Sequence, residues 1–353
     1  MPKKKAEIDF SKIKPRRIIY FNDGFYAYDF PHNIDAAWLK GVPNERFIFR
    51  SKECITLYPA GSTTILGNME RKREIEDWKA RIGLYESSII SETALIKGST
   101  IHDTTDKAEK VGAAIIYNDR KAPEFSELEI KELRKDLKKR RIPLYIITEQ
   151  EIWVQICRYA KILKDLKPQV FGTEEKIFNI KEFYAGTLDR KWYFPKDIVG
   201  YQTTKTIKLN IKAGKWIVDI KTGKNFDTKS YWRQLASYYF ALPDNADYQG
   251  AIILHLNYDK KAGVNGGRVH IMYRKELEKH FRHFLYLKEL FYEDADYTPK
   301  HFELPSIVYF NKVKPLYLKP KKKITKKIKT KKNVRRKPKT RTARRKNLRK
   351  RKS

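Results

Sequence analysis

Trp216-Ile217-Val218-Asp219-Ile220-Lys221-Thr222-Gly223 sets one carboxylate and one amine into an otherwise apolar run. Such a run reads as a β-strand, and alternate side chains of a strand share a face. Asp219 and Lys221 therefore point one way while Val218 and Ile220 point the other. Upstream, Phe183-Tyr184-Ala185-Gly186-Thr187-Leu188-Asp189 reads as a second strand that ends in an acid. Downstream, Tyr231 to Tyr238 reads as a helix, and its four-residue spacing puts Gln234 and Tyr238 on one face.

If the strand ending at Asp189 lies beside the one bearing Asp219, the two carboxylates converge at one end of a sheet, close enough to share a divalent cation. Hard oxygen donors suit Mg²⁺ or Mn²⁺, and the backbone carbonyl of Ile220 could supply another oxygen. Glu174, on the preceding strand, and His102, from a helix, could complete the shell. Lys221 would then stabilise charge growing on a phosphoryl group, or orient and deprotonate an attacking water. Gly186 offers a strand position without a side chain, where ligand or backbone can come close. Each piece alone has a plainer meaning: Asp-Ile-Lys is usually a solvent-facing charge pair, and Gln234 with Tyr238 is an ordinary helix face. Their order in one chain gives them weight together.

The rest of the chain supplies the frame. Ile18 to Tyr28, turning at Asn22-Asp23-Gly24, reads as a β-hairpin, and Phe47-Ile48-Phe49 is expected to pair with Cys54 to Tyr58 in a second. Ile75, Trp78, Ile82 and Leu84 read as one apolar helix face, followed by a helix from about Ser87 that carries Gly98 and His102. A polar helix over 126–141, a strand at 144–147 and a helix through Trp153 and Ala160 lead to Pro168. Strands at 169–178, 183–193, 215–222, 251–256 and 269–273 then surround the Gln234 helix, and a helix follows over 275–292. The reading is an α/β protein with a central mixed sheet flanked by helices, in which the segment 112–148 could form a lobe over the cleft. Three regions are expected: 1–54, a β-hairpin region packed on the core; 55–300, the catalytic domain; and 301–353, a basic tail.

Charge points to a polyanionic partner. The 353 residues carry a formal net charge of +35. Residues 319–353 hold 21 Lys/Arg and no acid, yet residues 1–318 retain +14. A stretch so charged and so poor in apolar residues is expected to be disordered alone and to contact nucleic acid. No apolar run is long enough to span a bilayer, and the tail lacks the amphipathic pattern of an interfacial helix, so no membrane association is expected. Two cysteines, Cys54 and Cys157, cannot supply a four-thiolate iron–sulfur cluster and read as buried reduced thiols. No P-loop is present to drive a motor, so a helicase or single-strand-binding partner would have to be separate and is not identifiable here. The expected location is the cytoplasm, in association with a nucleoid, or the nucleus in a eukaryotic host, where the tail would also serve as an address.

Taken together, His102, Glu174, Gly186 through Asp189, Asp219-Ile220-Lys221 and Gln234 through Tyr238 resemble the motif series of the PD-(D/E)XK nucleases, in the RecB-like, phage-type exonuclease branch. Pro59-Ala60-Gly61-Ser62-Thr63-Thr64-Ile65-Leu66 is similar to the entry segment of phage members, with one extra glycine. The resemblance spans about residues 55 to 290 and implies a restriction-endonuclease-like core. It implies metal-dependent hydrolysis of DNA phosphodiester bonds, as an exonuclease in recombination, repair or degradation that acts on ends or single strands, and leaves RNA open as a partner. By the same resemblance Asp189 and Asp219 are the principal metal ligands, Glu174 and His102 assist, Lys221 is the catalytic lysine, and Gln234 and Tyr238 are the accessory pair. The doublet Glu174-Glu175 leaves the strand glutamate open by one residue. An endonuclease of the same superfamily and a binding or packaging protein on this scaffold are the alternatives.

Overall fold

The computed structural model describes residues 15–21, 24–31, 42, 47–50, 54–70, 73–204, 206–224, 226–257 and 267–293. All belong to the first of two compact units, residues 1–303; the second, 304–353, and with it the basic tail, lies outside the described residues, as does the Asn22-Asp23 turn.

Alternating Tyr and Phe residues build the entry sheet. Strands β1 (Arg17–Tyr20), β2 (Tyr26–Pro31), β3 (Ile48–Arg50) and β4 (Cys54–Leu57) pair antiparallel in the order β1-β2-β4-β3. Both expected hairpin pairs thus join one sheet, and β4 runs across the boundary drawn at residue 54. Phe25, Tyr28, Phe30 and Phe47 share a core with Ile65 and Leu66 of helix α1 (Ser62–Met69) and with Phe183 and Tyr184.

Helix α2 (Arg73–Ile82) ends before Gly83, whose φ of 90° is a conformation that only glycine adopts freely, and α3 (Leu84–Val111) begins at once. This corrects two expectations. The helix that carries His102 starts at Leu84 rather than near Ser87, and the apolar face drawn over Ile75, Trp78, Ile82 and Leu84 is split, with Ile75 and Leu84 exposed and Trp78 and Ile82 half-buried. Next come β5 (Ala114–Tyr117), α4 (Glu127–Lys139) and β6 (Leu144–Ile147), where β5 and β6 form a two-stranded parallel sheet. Ser126 and Glu129 cap α4 reciprocally. Helix α5 (Gln150–Leu166) stops at Lys167, which is left-handed and is followed by Pro168.

The central sheet follows: β7 (Gln169–Asn179) and β8 (Tyr184–Phe194), then the excursion β9 (Ile198–Gln202) and β10 (Lys208–Ile211), then β11 (Gly214–Lys221). Helix α6 (Thr228–Ala241) carries the chain over to β12 (Tyr248–His255), and β13 (Arg268–Tyr273) and α7 (Arg274–Glu293) complete it. Its order is β13-β12-β11-β8-β7, mixed because β11 and β12 are parallel while the other neighbours are antiparallel. A parallel pair requires a crossover, which α6 supplies.

Periodicity in β11 decides the layers. Trp216, Val218 and Ile220 pack with Ile101 of α3 and Ile152 and Ile156 of α5. Ile217 packs on the other side with Leu235 and Tyr239 of α6 and Leu277 of α7. Each such fully buried side chain contributes about 1.5–3 kcal/mol, so the alternation that hides Val218 and Ile220 under α3 and α5 commits Asp219 and Lys221 to the α6 face. Cys54 and Cys157 are half-buried rather than buried as expected. Among the described residues, no helix is long and apolar enough to cross a membrane.

Candidate active site

The site forms where two strand ladders lose their regularity. β8 and β11 pair from Phe194–Gly214 to Arg190–Val218. Just beyond that last rung, Asp189 Oδ2 accepts the backbone N–H of Ile220 at 2.8 Å, so a carboxylate replaces a strand-to-strand hydrogen bond. Ile220 therefore enters the site through its amide, with its peptide set directly beside the acid.

On the other side, the β7–β8 register places Thr173 opposite Arg190 and Glu175 opposite Leu188, which leaves Glu174 facing Asp189. Glu174 has φ 50°, a left-handed conformation rare for a residue with a side chain. The strand turns over there. Thr173 hydrogen-bonds Asp106 of α3, and Arg190 donates to Thr105 of α3, whereas Ile177 and Leu188 share the core on the α6 side. At this switch the Glu174 carboxylate, a carboxylate oxygen of Asp189 and a ring nitrogen of His102 all lie within 4.8 Å of one another. His102 Nδ1 is 3.4 Å from Asp189 Oδ2. Burial, then the Asp189 charge, raises the Glu174 pKa above the ordinary carboxylate value. Glu175 instead pairs with Lys191, so geometry distinguishes the two glutamates of the doublet.

Asp219 is 2% exposed, and its Oδ2 lies 2.8 Å from Lys221 Nζ without a well-aligned hydrogen bond. Burial, joined by the Asp189 charge, raises the Asp219 pKa against the pull of Lys221. Burial opposes the charge on Lys221, but Asp219 and Asp189 outweigh it, and the lysine pKa is raised. Lys221 is thus held as an ammonium. Its Nζ donates to Gln234 Oε1 at 2.9 Å, and Gln234 Nε2 donates to the Tyr238 hydroxyl at 2.9 Å. The Tyr238 ring fills the space over Gly186, where an added Cβ would fall 2.4 Å from Tyr238 Cε1. Gly186 thus makes room for an aromatic side chain of the protein itself.

The site residues read from the sequence fall into two adjoining groups. His102, Glu174 and Asp189 form one; Asp219, Lys221, Gln234 and Tyr238 form the other, and Asp189 and His102 act electrostatically on Asp219 across the junction. Asp219 is not in the trio within 4.8 Å, because its carboxylate turns to Lys221. Two carboxylates and an imidazole so placed, with the buried Asp219 carboxylate beside them, are donors of the kind a hard divalent cation accepts.

Two contributors escaped the sequence reading. The Tyr231 ring covers Lys221 Nζ, with its centroid 4.6 Å away, and its signal was the three-residue spacing to Gln234 on α6. Arg190, fully buried, donates from Nη1 to Glu174 Oε1 at 3.1 Å and to the Asp189 carbonyl at 2.8 Å. Its signal was a charged residue at the alternate position between the apolar Leu188 and Trp192.

Comparison of the chain with protein-family models and with curated proteins finds no match in either.

Proposed function

We propose that the protein is a metal-dependent deoxyribonuclease on a restriction-endonuclease-like core, one that hydrolyses phosphodiester bonds as an exonuclease at DNA ends or on single strands. The observation that carries the reading is the strand switch at Glu174 and Asp189, which sets three donor groups within 4.8 Å of one another beside the Asp219–Lys221 pair. Asp189, Glu174, His102 and Asp219 would hold Mg²⁺ or Mn²⁺. When bound, that ion neutralises phosphate charge and acidifies a water molecule.

The side chains divide the remaining work. Lys221, kept charged by Asp219 and Asp189, donates to a phosphate oxygen as negative charge accumulates there, a role that a preorganised cation in a buried site performs well. It is not the base. Gln234, braced by Tyr238, fixes the direction of the ammonium. In the reaction, water oxygen bonds to phosphorus, the bond from phosphorus to the leaving sugar oxygen breaks, and that oxygen takes up a proton. The basic tail and the basic body add affinity for the DNA backbone that is independent of sequence.

The test is cleavage of end-labelled linear DNA and of closed circular DNA with Mg²⁺, Mn²⁺ or EDTA, comparing the intact chain with Asp219→Ala and Lys221→Ala. Metal-dependent loss of linear DNA alone, abolished by both substitutions, is the expected result. Cutting of circles would replace the exonuclease with an endonuclease. DNA binding with no metal-dependent cleavage of either substrate would overturn the reading in favour of a binding or packaging protein.

A further inference from the structure

Behind the candidate metal ligands lies a second layer of charge that no part of the proposed chemistry uses. Arg190 Nε is 2.6 Å from Glu109 Oε2, its Nη2 donates to Thr105 Oγ1 at 3.0 Å, and its Nη1 reaches Glu174 Oε1 at 3.1 Å. Glu109 in turn accepts the Tyr159 hydroxyl. Tyr159, Glu109, Arg190 and Glu174 therefore form one line from α5 through α3 to the left-handed residue of β7. Arg190 is fully buried, so its charge is answered by these partners rather than by water.

We propose that Arg190 is a positioning residue that competes with a divalent cation for the Glu174 carboxylate, and that Glu109 and Tyr159 set the strength of that competition. The inference rests on the metal-dependent reading of the same site. A carboxylate oxygen engaged by a guanidinium is a poorer donor to a cation, and a guanidinium beside a metal site repels the cation directly. Glu109 opposes both effects, because it shares the positive charge of Arg190. The Tyr159 hydroxyl touches both groups: it donates to Glu109, which draws part of that carboxylate's charge away from Arg190, and it also meets Arg190 itself.

This arrangement predicts effects of opposite sign. Glu109→Gln leaves Arg190 with less counter-charge, so Arg190 holds Glu174 more firmly and Mn²⁺ binds about tenfold more weakly, the scale typical of changes one layer behind a ligand. Tyr159→Phe returns the full Glu109 charge to Arg190, so Mn²⁺ binds more tightly. The double variant Glu109→Gln/Arg190→Met removes the buried pair together and also tightens binding. Tyr159→Phe deletes one hydroxyl only, so it serves as the readout if the double variant does not fold.

The experiment is calorimetric titration of Mn²⁺ alone into the full chain and each variant, with circular dichroism to establish folding. Weaker binding for Glu109→Gln with tighter binding for Tyr159→Phe is the expected pair of results. Mn²⁺ binding by the unmodified chain that changes in the same direction in both variants, or in neither, would overturn the competition while leaving the nuclease reading standing. An unmodified chain that binds no Mn²⁺ would remove the metal site and the competition together.

Discussion

Asp189 Oδ2 accepts the Ile220 amide N–H at 2.8 Å, which ties the acid of one strand to the peptide between Asp219 and Lys221 on the next. The two motifs are therefore one structural unit. Asp189→Asn can keep that hydrogen bond through its amide oxygen while it loses the charge. We expect cleavage to fall at least about a hundredfold, as when a preorganised electrostatic group is removed, with the thermal midpoint little changed. Parallel cleavage and melting curves check this, and a large fall in melting with cleavage retained would make Asp189 a strut and not a ligand.

Gly186 is required by its neighbour. A methyl group there would fall 2.4 Å from Tyr238 Cε1, in a fully buried region, so Gly186→Ala must push the tyrosine off Gln234. Overpacking of this kind costs about 1–3 kcal/mol. We expect lower stability in urea together with a loss of cleavage that the already-truncated Tyr238→Ala background does not deepen. A Gly186→Ala variant as stable and active as the parent would show that the contact is not tight.

Tyr231 covers the ammonium of Lys221 with its ring face at 4.6 Å. A desolvated cation–π contact contributes up to about 2 kcal/mol. Tyr231→Leu should lower kcat by about tenfold at unchanged KM, and Tyr231→Phe, which keeps the ring, should restore most of the rate. Equal losses in both variants would assign the effect to the hydroxyl.

His270 makes stability depend on pH. It stacks on Phe226 at 4.3 Å; burial, then Arg268, then His255 push its pKa from 6.5 down to about 4. The unfolded chain therefore holds the extra proton between those values, and stability declines as pH is lowered through that window. His255, which stacks on the same ring, is lowered too, with burial as the largest cause. The urea midpoint should drop between pH 7 and pH 5, and His270→Gln should shrink that drop. A drop of the same size in the variant would show that other groups govern it.

What the sequence made legible were features that obey a single period. The run Trp216–Lys221 alternates strictly, so the faces of Asp219 and Lys221 follow from it, and the helical spacing of Gln234 and Tyr238 matches their hydrogen bond. The placement of Glu174 broke that rule. A two-residue period assigns Thr173 and Glu175 to one face, whereas the left-handed Glu174 separates them, so the choice between the two glutamates could not be made from alternation. Arg190 was missed because a charged residue in a strand is ordinarily placed toward solvent, and only tertiary packing shows that Glu109 and Glu174 answer it. β5 was overlooked because Ala114-Ile115-Ile116-Tyr117 is short and pairs across the intervening α4 with β6.

The most direct test of the central claim is the initial rate of phosphodiester cleavage on linear DNA as Mn²⁺ is titrated from zero, measured for the intact chain and for Asp219→Asn. The account predicts a saturable rise for the intact chain, abolished by EDTA, and no rise for Asp219→Asn at any Mn²⁺ concentration. Cleavage that is independent of Mn²⁺ and Mg²⁺, or that survives in Asp219→Asn with the same metal dependence, would contradict it.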